Sequence, residues 1–179
     1  MASILQADTI RNAAGTGAPT FTYGATMSVY PVLSTQSLVR AENTSGTSLA
    51  NNTAVKIDFV TETFDTTGEW NNSTNVFTAT NAGYYRVTCQ LRLGSVNSWV
   101  VGNAFNLSLY KNGSSYCTLG STACWASGGS SNGVFVAGTT LIQLSATNTL
   151  EIYANQDSGS TRTLNTTAGF NWLCIERIA

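Results

Sequence analysis

The stretch Tyr85-Arg-Val-Thr-Cys-Gln-Leu-Arg-Leu93 decides the fold. Tyr85, Val87, Cys89, Leu91 and Leu93 alternate with Arg86, Thr88, Gln90 and Arg92. Side chains of a β-strand point to opposite faces in turn, so a clean period of two marks a strand with one face buried. The same pattern recurs on both sides of it. Val55, Ile57, Phe59 and Thr61 alternate with Lys56, Asp58 and Val60, and Phe105, Leu107 and Leu109 alternate with Asn106, Ser108 and Tyr110. Leu150, Ile152 and Tyr153 follow the polar turn Ala146-Thr-Asn-Thr149, and Phe170-Asn-Trp-Leu-Cys-Ile-Glu-Arg-Ile178 closes the chain.

Turn residues separate these runs: Asn81-Ala-Gly83, Lys111-Asn-Gly-Ser114, Asp157-Ser-Gly159 and the loop Gly128-Gly-Ser-Ser-Asn-Gly133. Asn112-Gly113 between two apolar runs predicts a tight hairpin, because both central residues of such a turn need positive φ. No stretch of eleven residues keeps a helical period. Many short strands spaced by turns predict an all-β fold, an antiparallel jelly-roll β-sandwich.

Composition narrows the function. Only 17 of 179 residues are charged, 8 basic and 9 acidic, or 9%, against about 25% in ordinary soluble domains. Neutral polar residues replace them: 27 Thr, 19 Ser and 17 Asn. The net charge of −1 and scattered Lys and Arg leave no basic patch for nucleic-acid phosphates. The longest apolar runs, Val134–Ala137 and Trp172–Ile175, have four residues, far below the roughly 20 of a membrane-spanning helix. There is no histidine, so histidine-based triads and zinc sites are excluded. A folded monomer of this mass exposes roughly 8,300 Å². Thin charge over such a surface suggests either a coat of hydroxyls and amides or burial against other chains.

Four cysteines occur, Cys89, Cys117, Cys124 and Cys174. Cys89 and Cys174 lie in apolar strand patterns and read as small buried hydrophobes. The spacing leaves open a Cys117–Cys124 bridge. The acidic cluster Asp58, Glu62, Asp65 and Glu69 is the densest in the chain. If one continuous strand carries them, Asp58 and Glu62 share a face, and a cation site or a carboxylate pair is the chemistry to test for there. A solvated rim is the simpler reading, and no enzyme activity, cofactor or metal is expected.

Residues 1–25 differ from the rest. Arg11-Asn-Ala-Ala-Gly-Thr-Gly-Ala-Pro-Thr20 is small and Gly/Ala-rich, and Ile4, Leu5 and Ile10 are the large apolar residues before Phe21. This segment reads as an extended arm that orders against a partner, with residues 26–179 as the folded domain. The start Met1-Ala-Ser-Ile-Leu-Gln-Ala-Asp8 lacks the basic and apolar parts of a secretory signal.

A series of motifs, in order along the chain, resembles the C1q-type heads, trimeric jelly rolls of the complement and tumour-necrosis-factor superfamily. They are Val55-Lys-Ile-Asp-Phe59 with Phe64-Asp65, then Phe77-Thr-Ala-Thr-Asn-Ala-Gly-Tyr-Tyr-Arg-Val87, then Asn106-Leu-Ser-Leu-Tyr-Lys-Asn-Gly113, and finally Thr139-Thr-Leu-Ile-Gln-Leu144, Leu150-Glu-Ile-Tyr153 and Phe170-Asn-Trp-Leu-Cys-Ile175. The resemblance covers about residues 50–179 and implies a homotrimer. It departs at Thr147-Asn148, where the family often has Gly-Asp. Aromatics expected near the threefold are Tyr85, Tyr153, Phe170 and Trp172. The segment from Ile4 to Phe21 resembles leader segments of tailed-phage virion proteins, notably cyanobacterial and marine ones. That resemblance implies a protein of the virion surface, docked through Ile4, Leu5, Ile10 and Phe21 on the major capsid protein or another virion protein. The expected role is capsid decoration or cement, since 25 residues of arm leave no fibre shaft. The alternative is the receptor-binding tip of a tail fibre or spike, with host surface glycan as partner.

Overall fold

The computed structural model describes residues 36–94, 99–124 and 134–178. The arm with Ile4, Leu5, Ile10 and Phe21, the boundary at residue 25 and the loop Gly128–Gly133 lie outside the described residues.

Thirteen strands and no helix make up the described residues. They are β1 (Leu38–Glu42), β2 (Ser48–Leu49), β3 (Val55–Lys56), β4 (Thr61–Asp65), β5 (Trp70–Asn71), β6 (Val76–Thr78) and β7 (Gly83–Arg92). After them come β8 (Ala104–Lys111), β9 (Ser114–Ala123), β10 (Phe135–Leu144), β11 (Thr149–Gln156), β12 (Arg162–Thr163) and β13 (Trp172–Arg177). A five-stranded sheet has the order β10-β7-β13-β1-β4. A second sheet runs β5-β6-β11-β8-β9, with β3 also on β11, and β12 pairs with β2. Every strand pairing is antiparallel. This is the jelly-roll sandwich that the alternating runs predict.

The period of two builds the core. Tyr85, Val87, Cys89 and Leu91 of β7 point inward, as do Leu173 and Ile175 of β13 and Phe105, Leu107 and Leu109 of β8, and all are buried. Phe59 meets Trp70 and Phe77 meets Tyr85 edge-on, with ring centroids 6.2 and 5.7 Å apart. The β8–β9 hairpin turns at Asn112 (φ 51°) and Gly113 (φ 74°), as the Asn-Gly pair requires.

At one margin the two sheets close on each other through bare backbone. A Cβ added at Gly138 of β10 would lie 1.9 Å from the Leu119 carbonyl oxygen of β9, and one at Gly120 would lie 2.4 Å from the Ala137 oxygen. Only glycine permits that approach.

Neutral polar residues hold the ends of the sandwich. Buried Asn43 donates from Nδ2 to Thr47 Oγ1 and the Asp58 carbonyl, both at 2.7 Å, and accepts from Gly46 N. Buried Gln156 donates to the Leu49 and Ser160 carbonyls and accepts from Ser158. Buried backbone groups need partners, and uncharged amides supply them without the cost of burying an ion.

Two expectations change here. The run Val55–Thr61 is not one strand: β3 pairs with β11 in one sheet, whereas β4 pairs with β1 in the other. The alternation continues because Ile57 and Phe59 stay buried while the chain crosses between sheets. Asp58 and Glu62 therefore do not share a strand face. Nor do Cys117 and Cys124 bridge; neither is in a disulfide. Seven residues along an extended strand place them roughly 20 Å apart, and a disulfide needs Cα atoms within about 7 Å.

Candidate functional site

The outward face of the five-stranded sheet is the candidate site. Alternation sends Tyr84, Arg86, Thr88, Gln90 and Arg92 of β7 to this face. Their cross-strand partners Gln143, Leu141, Thr139, Ala137 and Phe135 come from β10, and Trp172, Cys174 and Glu176 from β13. Arg40 of β1 lies opposite Cys174 on one side and Phe64 of β4 on the other.

A sheet face turned to water is normally polar. Here Phe135 is 62% exposed, Leu141 58%, Tyr84 50% and Phe64 46%, with Ile178 exposed at the lower end of the sheet. Several polar groups between them pair with one another. Arg40 pairs with Glu42 at 3.2 Å, donates to Cys174 Sγ at 3.3 Å and lies 5.0 Å over the Trp172 ring. Arg86 pairs with Glu176, and Thr88 and Thr139 share a hydroxyl hydrogen bond of 2.9 Å. The largest exposed side chains of the face are apolar. Large apolar side chains exposed on one sheet face make it a candidate protein contact surface.

The expected interface aromatics separate into three groups. Phe170 and Trp172 do lie at this face: Trp172 is on β13 opposite Gln90, and the Phe170 ring packs 4.2 Å from the Arg92 guanidinium. Tyr85 is fully buried; its hydroxyl donates to the Asn81 carbonyl at 2.7 Å. It has no surface to offer a second chain, because the strand turns Tyr84 outward instead. Tyr153 belongs to the other sheet, where its ring stacks on Tyr110 with centroids 3.9 Å apart. The sequence reading missed Phe135, Leu141, Tyr84 and Phe64. Its available signal was the adjacent pairs Tyr84-Tyr85 and Leu141-Ile142: in a strand, one member of each such pair must face out.

The acidic cluster is dispersed among structural tasks. Asp65 caps a turn, its Oδ1 accepting from Thr67 N and Gly68 N and its Oδ2 from Trp70 N. Buried Glu69 accepts from Thr80 N at 2.6 Å and from the Thr67 hydroxyl at 2.8 Å. Asp58 accepts from Asn75 Nδ2. Glu62 is exposed on the edge strand β4. Among the described residues no three His, Cys, Asp or Glu side chains gather as metal ligands. Burial pushes the Tyr85 phenol above its ordinary pKa, with the Glu69 charge adding to it, and pushes the Cys89 thiol well up.

The architecture defines a jelly roll of the tumour-necrosis-factor and C1q kind. Solved structures with this fold include murine APRIL (TM-score 0.58, 9% identity, 80% of this chain and 99% of that one) and Eiger TNF from S. frugiperda (0.59, 11%, 80% and 92%). The globular domain of zebrafish complement 1qA also matches (0.50, 12%, 80% and 98%). No protein-family model and no curated protein matches the sequence.

Proposed function

We propose that this chain is a homotrimeric structural protein of a phage particle surface, with the jelly roll as its head and residues 1–25 as its docking arm. One observation carries the trimer: the five-stranded sheet presents Phe135, Leu141, Tyr84 and Phe64 to solvent, while Arg40 pairs with Glu42 and Arg86 with Glu176 within the chain. The C1q-type motifs support the same stoichiometry. The virion role rests on the resemblance of Ile4–Phe21 to phage leader segments and on the neutral Ser/Thr/Asn composition. Capsid decoration is the favoured role, and no catalytic step is part of it.

The test is Leu141→Glu. Leu141 is already 58% exposed, so the monomer fold tolerates the change, whereas a buried unpaired carboxylate at a subunit contact is costly. Light scattering should show a trimer for the natural chain and a folded monomer for the variant. A trimer in both cases rejects this face. A chain lacking residues 1–24 should remain a trimer yet fail to bind particles.

The receptor-tip reading has its own support. On the other sheet, the Tyr110–Tyr153 stack lies beside Asn106, Ser121 and Asn155, with Asn106 accepting from the Ser121 hydroxyl at 2.6 Å. Aromatic rings among amides and hydroxyls suit sugar rings. Copy number per particle separates the two: hundreds favour capsid decoration, and a few trimers favour a tail tip.

A further inference from the structure

A cleft of about 410 Å³ opens at the upper margin of the same face, lined by Gln90, Arg92, Phe135 and Phe170. Small-molecule sites occupy about 300–1,000 Å³ and are mainly apolar, with a few placed polar groups. Arg92 of β7 and Phe135 of β10 are direct cross-strand partners, so their side chains stand together on one face. The Arg92 guanidinium lies 4.2 Å from the centre of the Phe170 ring, and its Nε is buried without an acceptor. Gln90 is turned to the Phe170 carbonyl, to which its Nε2 donates at 3.1 Å. The other guanidiniums of this face have carboxylates: Arg40 has Glu42, and Arg86 has Glu176. Among the described residues Arg92 has none. A guanidinium held by an aromatic ring and lacking an acid of its own is complementary to a carboxylate from outside the chain.

We infer that this cleft binds a small carboxylate with an aromatic or branched aliphatic body. The carboxylate meets the Arg92 guanidinium, and the body covers the rings of Phe135 and Phe170. One guanidinium matches one negative charge. Two phenyl rings and no hydroxyl line the cleft, so a sugar acid would leave its own hydroxyls against hydrocarbon, which is costly. All four lining residues belong to one chain, so the site needs neither a second copy nor the arm. Phe135 also belongs to the proposed subunit contact, and the ligand therefore sits at the margin of that contact. Binding is accordingly read on both the natural chain and Leu141→Glu.

Titration calorimetry on the full chain tests it, with phenylacetate as the probe and phenylacetamide as its uncharged isostere. Phenylacetate should bind one per chain, and phenylacetamide at least about tenfold more weakly, because only the acid offers Arg92 a charged acceptor. Arg92→Gln should weaken phenylacetate at least about tenfold and leave phenylacetamide within about threefold. The substitution keeps the backbone bond from residue 92 to Asn171 Oδ1. Glucuronate should bind the natural chain at least about tenfold more weakly than phenylacetate. Leu141→Glu lies well away along β10 and should bind phenylacetate within about threefold of the natural chain. Equal affinity for acid and amide, or binding of neither, overturns the site. Glucuronate binding as tightly as phenylacetate overturns the apolar class of ligand. Binding by Leu141→Glu but not by the natural chain gives the cleft to the subunit contact and overturns it as a ligand site.

Discussion

Gly138→Ala tests how the sandwich closes. A strand-interior glycine with ordinary backbone angles is normally improved by alanine, by about 0.4–1 kcal/mol, because the unfolded chain loses freedom. Here the sign should reverse. The new methyl would sit 1.9 Å from the Leu119 carbonyl oxygen and 2.5 Å from its carbon, where ordinary contact begins at 3.4 Å. Strands β9 and β10 would have to part by the difference, about 1.5 Å. Neither can rotate away, since the obstacle is backbone and β10 is held to β7 along its whole length. Overpacking of this kind costs about 1–3 kcal/mol and occasionally more; a rigid backbone obstacle puts Gly138→Ala at the top, about 3 kcal/mol. For a domain of this size that lowers the melting temperature by roughly 6–12 °C. Scanning calorimetry at fixed chain concentration reads it, with Ala137→Ser as the exposed neighbour control. Gly120→Ala probes the same gap, so the double variant should cost less than the sum of the singles. A Gly138→Ala protein melting within 2 °C of the natural chain would refute the close approach.

Other consequences are equally direct. Thr147 holds φ at 70°, a conformation that costs a β-branched residue about 1–2 kcal/mol. Thr147→Gly should therefore stabilise the fold by about 0.5–1 kcal/mol net of glycine's entropy, read by chemical denaturation, and a loss would contradict the strain. The raised Tyr85 and Cys89 pKa values give folded protein that holds its protons more tightly than unfolded chain. Stability should thus be full below about pH 9 and decline as pH rises further. Cys89→Ala should make the first part of that decline shallower, and an identical slope would remove Cys89 as a cause. With few ion pairs to screen, the trimer should persist in about 1 M NaCl; dissociation there would count against an apolar contact face.

Much of the fold is legible because period-two alternation reports burial directly. It locates β7, β8, β11 and β13, the Asn112-Gly113 hairpin and most of the core. Alternation does not report hydrogen-bond partners, which is why Val55–Thr61 reads as one strand although Ile57 and Phe59 bridge two sheets. The site is less legible for a related reason. Tyr84 and Tyr85 are chemically equivalent, and only the phase of the whole strand says which faces out. Cross-strand neighbours such as Phe135 and Arg92 are over forty residues apart in sequence, and their cleft has no local signature. The acidic cluster misleads through density alone: Asp65 and Glu69 are close because one tight turn uses both as acceptors. The abundance of Asn, Ser and Thr reads correctly as a replacement for charge. Part of it lies inside, in amides such as Asn43 and Asn171 that tie down loops.

The central claim is assembly through the outward face of the five-stranded sheet, and the molar mass of the natural chain beside Leu141→Glu tests it most directly. The account predicts three times the 18.9 kDa chain mass for the natural protein at micromolar concentration, and a single folded chain for the variant. A natural protein with the mass of one chain, or a variant that keeps the trimer mass, would contradict it.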